Sequence, residues 1–342
     1  MITNLKILDK QGRKVISKLI GNKLDERMKV VESYIDTFTE HPFCGTEVGS
    51  VLDDAVSTRG KMIRPWLLLA AAEFGPAWEE ACDCLCKLAA FVELTHMSSL
   101  IHDDIVDDAP YRRGKASIQM KYGKDAAVYA GDFLMSRISY YMMKDNMNQA
   151  GIVLFKTIEA MCEGEIGQAR CRYRDNVTVA EYLHNIHGKT VALFMACCRI
   201  GAMQSGCDEK MICDMESFGE CLGIMFQLRD DLLDFTSDVS KLGKAAHKDF
   251  QEGIYTMPVL HAMRQPGGRE ALLPYMRDNL EGRLTLEQIL QMEKLVSQLG
   301  GVEATWQEIG RRQKQAERII ASFPKSETAS LLVKLVRKMG VA

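Results

Sequence analysis

Apolar residues recur at intervals of three and four along most of this 342-residue chain. Runs in which apolar and polar residues alternate, as they do in strands, are scarce, and proline occurs only 8 times. The pattern therefore predicts an all-α fold. The predicted helices cover residues 13–40, 66–74, 79–107, 123–143, 150–168 and 193–203, and most of the chain after 281, with breaks at 187–190, 300–301 and 323–324.

Two of the predicted apolar helices end in a DDxxD pattern, and the two copies lie 127 residues apart. On a helix the first and last aspartates of each pattern share a face, where like charges repel. One copy alone is usually a solvated helix end. Two copies indicate divalent cations holding an anionic ligand, and oxygen ligands suit Mg²⁺ or Mn²⁺ better than zinc. The carboxylates are Asp103, Asp104, Asp107, Asp230, Asp231 and Asp234.

Basic residues lie near each carboxylate motif. Gly60 would let the backbone approach a ligand closely, and Lys61 and Arg64 near a helix N-terminus would bind an anion. Arg112 and Arg113 directly follow the first motif, where they either pair with its carboxylates or bind phosphate.

Two further positions have both a structural and a functional interpretation. His96 lies about 10 Å below Asp103 on the carboxylate face, where a histidine is a packed core residue or a ligand contact. His187-Gly-Lys-Thr190 lacks the upstream glycine and the preceding strand of a nucleotide-binding loop. Lys189 there is still a candidate for a single phosphate contact.

Composition excludes several classes of protein. A net charge of −3 does not favour nucleic acid, and neither an N-terminal apolar segment nor a run of 18 apolar residues predicts membrane insertion. The 11 cysteines lack zinc spacing and are expected to be reduced thiols in a cytoplasmic protein. No shift in composition marks a boundary, so we expect one domain over 1–342, with N-terminal helices at 1–50, a catalytic core at 51–265 and packing helices at 266–342.

Taken together, these motifs resemble those of the trans-isoprenyl diphosphate synthases, the polyprenyl synthetase family. The resemblance runs from Ser57 to Pro258. It rests on the GKxxRP turn, the first aspartate motif with the RRG that follows it, Lys189-Thr190, the FQxxDDxxD form of the second motif, and the loop from Gly243-Lys244 to Pro258.

The resemblance implies a class I isoprenoid synthase bundle around an apolar cavity, with the two motifs facing each other across its mouth, in a homodimer. It implies condensation of isopentenyl diphosphate with an allylic diphosphate. It also implies that the six aspartates bind Mg²⁺, three ions per site, with Mn²⁺ as an alternative. Asp103, Asp104, Asp107, Lys189, Gln227 and Asp230 would act in catalysis.

The resemblance also assigns the substrate contacts. Arg112, Lys189 and Lys244 would hold the allylic diphosphate. Thr190 would be a further substrate contact, and Gln227 would lie near the reacting carbons. The diphosphate of isopentenyl diphosphate would be held by Lys61, Arg64, His96 and Arg113, next to Gly60. Ile254 departs from the family, which often has lysine there, so one phosphate contact is missing unless Lys248 replaces it.

Product length depends on the residues that block the cavity below the first motif. In the family the positions four and five before the first aspartate often form its floor, and here they are the small Ser99 and Ser98. Thr95 is also small, and the first bulky residue on that side is Phe91, about 18 Å below Asp103. The product is therefore expected to be longer than farnesyl, and a long product could need a membrane or an acceptor protein.

Other functions remain open at this stage. The alternatives are a geranylgeranyl or farnesyl diphosphate synthase, a class I terpene cyclase, and the partner subunit of a two-component synthase. A cyclase would not need the second anion site of Lys61, Arg64 and Arg113. A non-catalytic subunit should have lost carboxylates, and this chain keeps all six.

Overall fold

The computed structural model describes residues 22–57, 59–236 and 247–340. Helix makes up 77% of the structure, which confirms the predicted all-α fold. The helices of the described residues are α1 (Asn22–Thr39), α2 (Glu47–Ser57), α3 (Ile63–Ala72), α4 (Cys82–Val106), α5 (Ile118–Tyr122), α6 (Lys124–Lys144), α7 (Asn148–Cys171), α8 (Val179–Ile186), α9 (Ala192–Gln204), α10 (Glu209–Phe235), α11 (Lys248–Gln251), α12 (Met257–Met263), α13 (Gly268–Leu280), α14 (Leu286–Gln298), α15 (Gly301–Ala321) and α16 (Glu327–Met339).

One short hairpin interrupts the helices. Strands β1 (Tyr111–Arg112) and β2 (Lys115–Ala116) pair antiparallel, with Arg112 opposite Lys115. The two residues between the strands, Arg113 and Gly114, both have positive φ, at 52° and 81°. Such a two-residue turn matches the twist of the paired strands.

The described residues divide into two compact units, and the division falls within α7, α9 and α10. The first-motif unit contains residues 22–158 and 196–216, and the second-motif unit contains 159–195 and 217–340. The expected segments 1–50, 51–265 and 266–342 stay a prediction.

Helix α4 forms the centre of the first-motif unit, packed by α1, α3 and α6. It is buried on almost every side, as expected for a helix that is apolar all round. By length and composition it could cross a membrane, but 72% of its most apolar window is buried inside the structure. Near its middle, Phe91 stacks on Phe38, whose ring lies 4.5 Å from that of Tyr141.

Helix α10 carries the core of the second-motif unit. Phe218, Leu222 and Leu228 are fully buried along it. Just before the second motif, Arg229 donates to the carbonyls of Lys338 and Met339, at 2.9 and 3.0 Å. Because the last carbonyls of a helix lack internal partners, this arginine fixes the end of α16.

The predicted break at His187–Thr190 is wrong. A π-helical turn, His187–Val191, joins α8 to α9 without interrupting the helix. A Cβ on Gly188 would lie 2.3 Å from the carbonyl oxygen of Ala160 on α7 and 3.0 Å from the Cα of Gly164. Two glycines thus let the π turn approach the backbone of α7, and such turns are frequent at functional sites.

Candidate active site

The first motif lies at the C-terminal end of α4. Asp107 caps the helix, and its backbone N–H donates to the carbonyl of Asp103 at 2.9 Å. The last turn contains no basic residue, although the negative end of the helix dipole disfavours carboxylates there. Asp103 and Asp107 are half-buried, whereas Asp104 is buried. The carboxylates at this helix end therefore need cations from elsewhere.

The hairpin supplies one of these cations. Arg112 donates from Nε to Oδ1 of Asp104 at 2.8 Å, and its Nη2 bonds the same oxygen. The amide of Gln119 holds the backbone carbonyl of Asp104 at 2.6 Å. Of the two predicted roles of Arg112, pairing with a carboxylate is the one that the structure records.

Arg113 lies in the hairpin turn itself and reaches the GKxxRP segment. A Cβ on Gly60 would lie only 2.7 Å from its guanidinium Nη2, so the Arg113 side chain packs closely against the backbone at Gly60. Arg64 is the second residue of α3. The structure thus brings Gly60, Arg64 and Arg113 together in the first-motif unit, and their role in holding a substrate stays a prediction.

His96 and Glu93 lie on α4 beside these arginines. Burial, with Arg64 and Arg113 adding to it, lowers the pKa of His96 well below its ordinary value, so the ring is neutral. Burial raises the pKa of Glu93 above its ordinary value, against the opposing effect of Arg64 and Arg113. Positive charge at this cluster therefore comes from arginine and not from His96.

The second motif lies at the end of α10, where the last turn again contains no basic residue. Asp230 is exposed, but Asp231 is buried and accepts hydrogen bonds from Tyr182 Oη, from Gln227 Nε2 at 2.9 Å and from the backbone N–H of Met257. Burial raises the pKa of Asp231 to about 7 despite these bonds. Three hydrogen-bond donors of the protein thus fix the position of the Asp231 carboxylate.

Asp234 is held by the first residues of α11. Its carboxylate accepts from the backbone N–H groups of Lys248 and Asp249, at 3.0 and 3.1 Å. Burial raises the pKa of Asp249 well above its ordinary value, and Asp234 and Asp231 add to this effect. The predicted phosphate contact Lys244 lies outside the described residues.

The π turn positions two more of the predicted residues. Thr190 donates from Oγ1 to Oε1 of Gln227 at 2.7 Å, so the amide of Gln227 is fixed at both ends, by Thr190 and by Asp231. Lys189 donates from Nζ to Glu165 on α7 at 2.9 Å. A diphosphate would have to compete with Glu165 for this lysine.

Sequence reasoning missed Glu93, Glu165, Tyr182 and Asp249 as members of the site. Glu93 gave the clearest signal, because it is a charged residue three positions before His96 in an otherwise apolar helix. Tyr182 gave none, since its partner Asp231 lies 49 positions away.

The side chains present fit a hard divalent cation. Asp103, Asp107 and Asp230 offer only oxygen, and no basic residue occupies either helix end. Across the described ranges, no three His, Cys, Asp or Glu side chains converge as a preformed metal site. The assignment of the six aspartates as metal ligands stays a prediction.

Comparison with known proteins gives the family. The sequence profile of the polyprenyl synthetase family matches residues 46–292. The chain belongs to the polyprenyl synthetase family. This membership confirms the predicted family and enzyme class, a prenyltransferase of a metal-dependent family.

Several relatives cover most of the chain. Component 2 of heptaprenyl diphosphate synthase from Geobacillus stearothermophilus is 33% identical over 82% of this chain and 85% of its own length. Octaprenyl diphosphate synthase from Escherichia coli is 33% identical over 78% of this chain and 80% of its own. A polyprenyl synthase from Caulobacter crescentus, solved with calcium and isoprenyl diphosphate, has a TM-score of 0.84, 30% identity and coverage of 95% and 97%. These matches confirm the isoprenoid synthase fold.

Proposed function

We propose that this member of the polyprenyl synthetase family condenses isopentenyl diphosphate with an allylic diphosphate to give an all-trans polyprenyl diphosphate longer than farnesyl, with Mg²⁺ as cofactor. The observation that carries the proposal is the pair of helix ends that are rich in aspartate and whose last turns contain no basic residue. Because the negative end of the helix dipole disfavours carboxylates, bound cations would stabilise both helix ends.

Two chemically distinct sets of residues support two diphosphate substrates. The six aspartates would hold about three Mg²⁺ ions that bind the allylic diphosphate, and the ions would supply positive charge to neutralise the diphosphate leaving group. Lys61, Arg64 and Arg113 would hold isopentenyl diphosphate, whose double bond attacks the allylic carbon. The released diphosphate would take the proton that the new chain loses.

His96 and Gln227 would orient the reactants without carrying charge. A neutral His96 can donate one hydrogen bond to a phosphate oxygen beside the arginines. The amide of Gln227, fixed by Thr190 and Asp231, would lie against the allylic carbons. Apolar surroundings would exclude the water that quenches an allylic cation.

The small residues below the first motif support a long product. Ser98 is buried, and its hydroxyl donates to the carbonyl of Gly131 at 2.9 Å, while Thr95 bonds back to the carbonyl of Phe91. Both hydroxyls are satisfied within the protein, so neither places a polar group against a growing chain. Phe91, packed on Phe38, is the first large side chain on this side.

We also propose that two copies of the chain associate. Exposed apolar side chains occur on α6 and on the first half of α7: Tyr129, Met143, Ile152 and Phe155. Such a surface is typical of a protein interface. Light scattering should give the mass of a dimer for the wild type and of a monomer for Met143→Glu/Ile152→Glu; a wild-type monomer would contradict the proposal.

Incubation of the purified chain with Mg²⁺, labelled isopentenyl diphosphate and farnesyl diphosphate tests the proposed reaction. Labelled products that keep their diphosphate are expected. A cyclic hydrocarbon would instead identify a terpene cyclase. Activity that appears only after a second protein is added would identify a subunit of a two-component synthase.

A further inference from the structure

A hollow of about 460 Å³ lies in the second-motif unit, between the segment before α8 and the end of α12. Its apolar walls come from Val177 and Val179 on one side and from Leu260 and Met263 on the other. Leu260 is buried and Met263 is half-buried. The volume falls within the range of small-molecule sites, about 300–1,000 Å³.

The rim of the hollow is positively charged. Arg264 and Arg269 are exposed there, and Asp175 is paired with Arg269 at 3.5 Å. In the part of the chain that the structure describes, no carboxylate lies within ion-pair distance of Arg264. Apolar walls below two guanidinium groups match a molecule with a compact apolar body and an anionic head.

Both walls of the hollow are tied to the second carboxylate motif. Helix α8 carries Tyr182, whose hydroxyl donates to Asp231. Helix α12 begins at Met257, whose backbone N–H donates to the same carboxylate. A molecule that separates α8 from α12 would therefore alter the hydrogen bonds that hold Asp231.

We propose that this hollow is a regulatory site for a small amphipathic anion, an apolar group bearing a carboxylate, sulfonate or phosphate. Occupancy favours one spacing of α8 and α12, and this spacing determines the position of Asp231. The effect on turnover rests on the proposed function. Binding of the anion does not depend on the proposed function, so binding and turnover are measured separately.

The binding experiment uses 1-anilinonaphthalene-8-sulfonate as probe and calorimetry on the full chain. Mg²⁺ and an unreactive thio analogue of the allylic diphosphate, both saturating, keep the probe out of the active site. The wild type should bind one probe. Arg264→Ala/Arg269→Ala should weaken binding by about tenfold or more, because two charge-assisted contacts are lost.

Two further variants test whether the probe binds in this hollow and not elsewhere on the surface. Asp175→Asn should strengthen binding, because it releases Arg269 from its intramolecular partner. Arg318→Ala removes an exposed arginine on α15 that does not line the hollow, and should bind as the wild type does. No binding to the saturated wild type, or equal binding in all variants, would overturn the site. Unfolding curves that match the wild type establish that each variant folds.

Turnover is then measured with and without the probe. The probe should change kcat in the wild type and have little effect in Arg264→Ala/Arg269→Ala, while the KM values stay the same. Saturable binding with unchanged kcat would overturn the regulatory role. If the chain has no prenyltransferase activity at all, the proposed function fails, and the binding result still decides whether the site exists.

Discussion

At the scale of residues, burial separates the six aspartates. Asp104 is buried and held by Arg112, and Asp231 is buried and held by Tyr182 and Gln227. The other four are half-buried or exposed: Asp103, Asp107, Asp230 and Asp234. The accessible carboxylates are therefore the expected direct ligands of Mg²⁺, and the two buried ones orient the helix ends.

Replacement of Asp103 tests this distinction. Asp103→Ala should lower turnover by at least about a hundredfold, because an oxygen ligand of the cation is lost where charge develops. Circular dichroism should show an unchanged helical fold. The matched control is Asp108→Ala, an exposed neighbour that pairs with Lys124 at 2.9 Å, and its turnover should stay near that of the wild type. Equal losses in both variants would argue against a metal role.

Glu93 offers a test by pH. Its folded-state pKa is raised above 4.5, so its contribution to stability is fully present below pH 4.5 and is lost as the pH rises toward the folded-state value. Glu93→Gln lacks this titration. Its free energy of unfolding in urea should therefore increase relative to that of the wild type as the pH rises from 4.5 to 8. A difference that does not vary with pH would contradict this account.

The motif residues could be predicted at this scale, but their partners could not. Spacing alone identifies the aspartates, because the first and last of each motif share one helix face. Tyr182 acts through Asp231, which packing brings near, and no local pattern in the sequence reports such a contact.

At the scale of elements, the π turn between α8 and α9 is what the sequence pattern missed. The Gly-Lys-Thr segment looked like a helix break because glycine is a poor helix former. In the structure Gly188 is instead required for contact with α7, and the turn places Lys189 near Glu165 and Thr190 near Gln227. The long helices α4, α6 and α10 were predictable because their apolar periodicity extends over many turns.

Two glycine substitutions test the role of this contact. Gly188→Ala should lower the free energy of unfolding by about 1–3 kcal/mol, since its Cβ would lie 2.3 Å from a backbone oxygen. It should also lower turnover by displacing Lys189. Gly151→Ala on α7 is the control, because its Cβ would meet only a methionine methyl group at 3.8 Å. That variant should be as stable as the wild type or more stable by up to about 1 kcal/mol.

At the scale of the whole molecule, the length of the product depends on which side chains block the path below the first motif. Ser98 packs against α6, so a large residue there would disturb the core before it reached the product. Ser99 is half-buried, and its hydroxyl bonds within its own helix, to the carbonyl of His96. A large side chain at Ser99 is therefore the better test of product length.

Ser99→Phe should shift the product distribution toward shorter chains, because the ring would block the path below the first motif. Ser99→Ala, which keeps the position small, should give the wild-type distribution. Chromatography of the dephosphorylated products measures both. An unchanged distribution in Ser99→Phe would place the floor of the cavity elsewhere.

We propose that this chain alone, with Mg²⁺, elongates an allylic diphosphate beyond fifteen carbons. The most direct measurement is the length of the products that the purified chain makes from farnesyl diphosphate and labelled isopentenyl diphosphate. We predict labelled polyprenyl diphosphates longer than farnesyl, formed without a second protein and abolished by chelation of the metal. Absence of label from any prenyl product under these conditions would contradict the account.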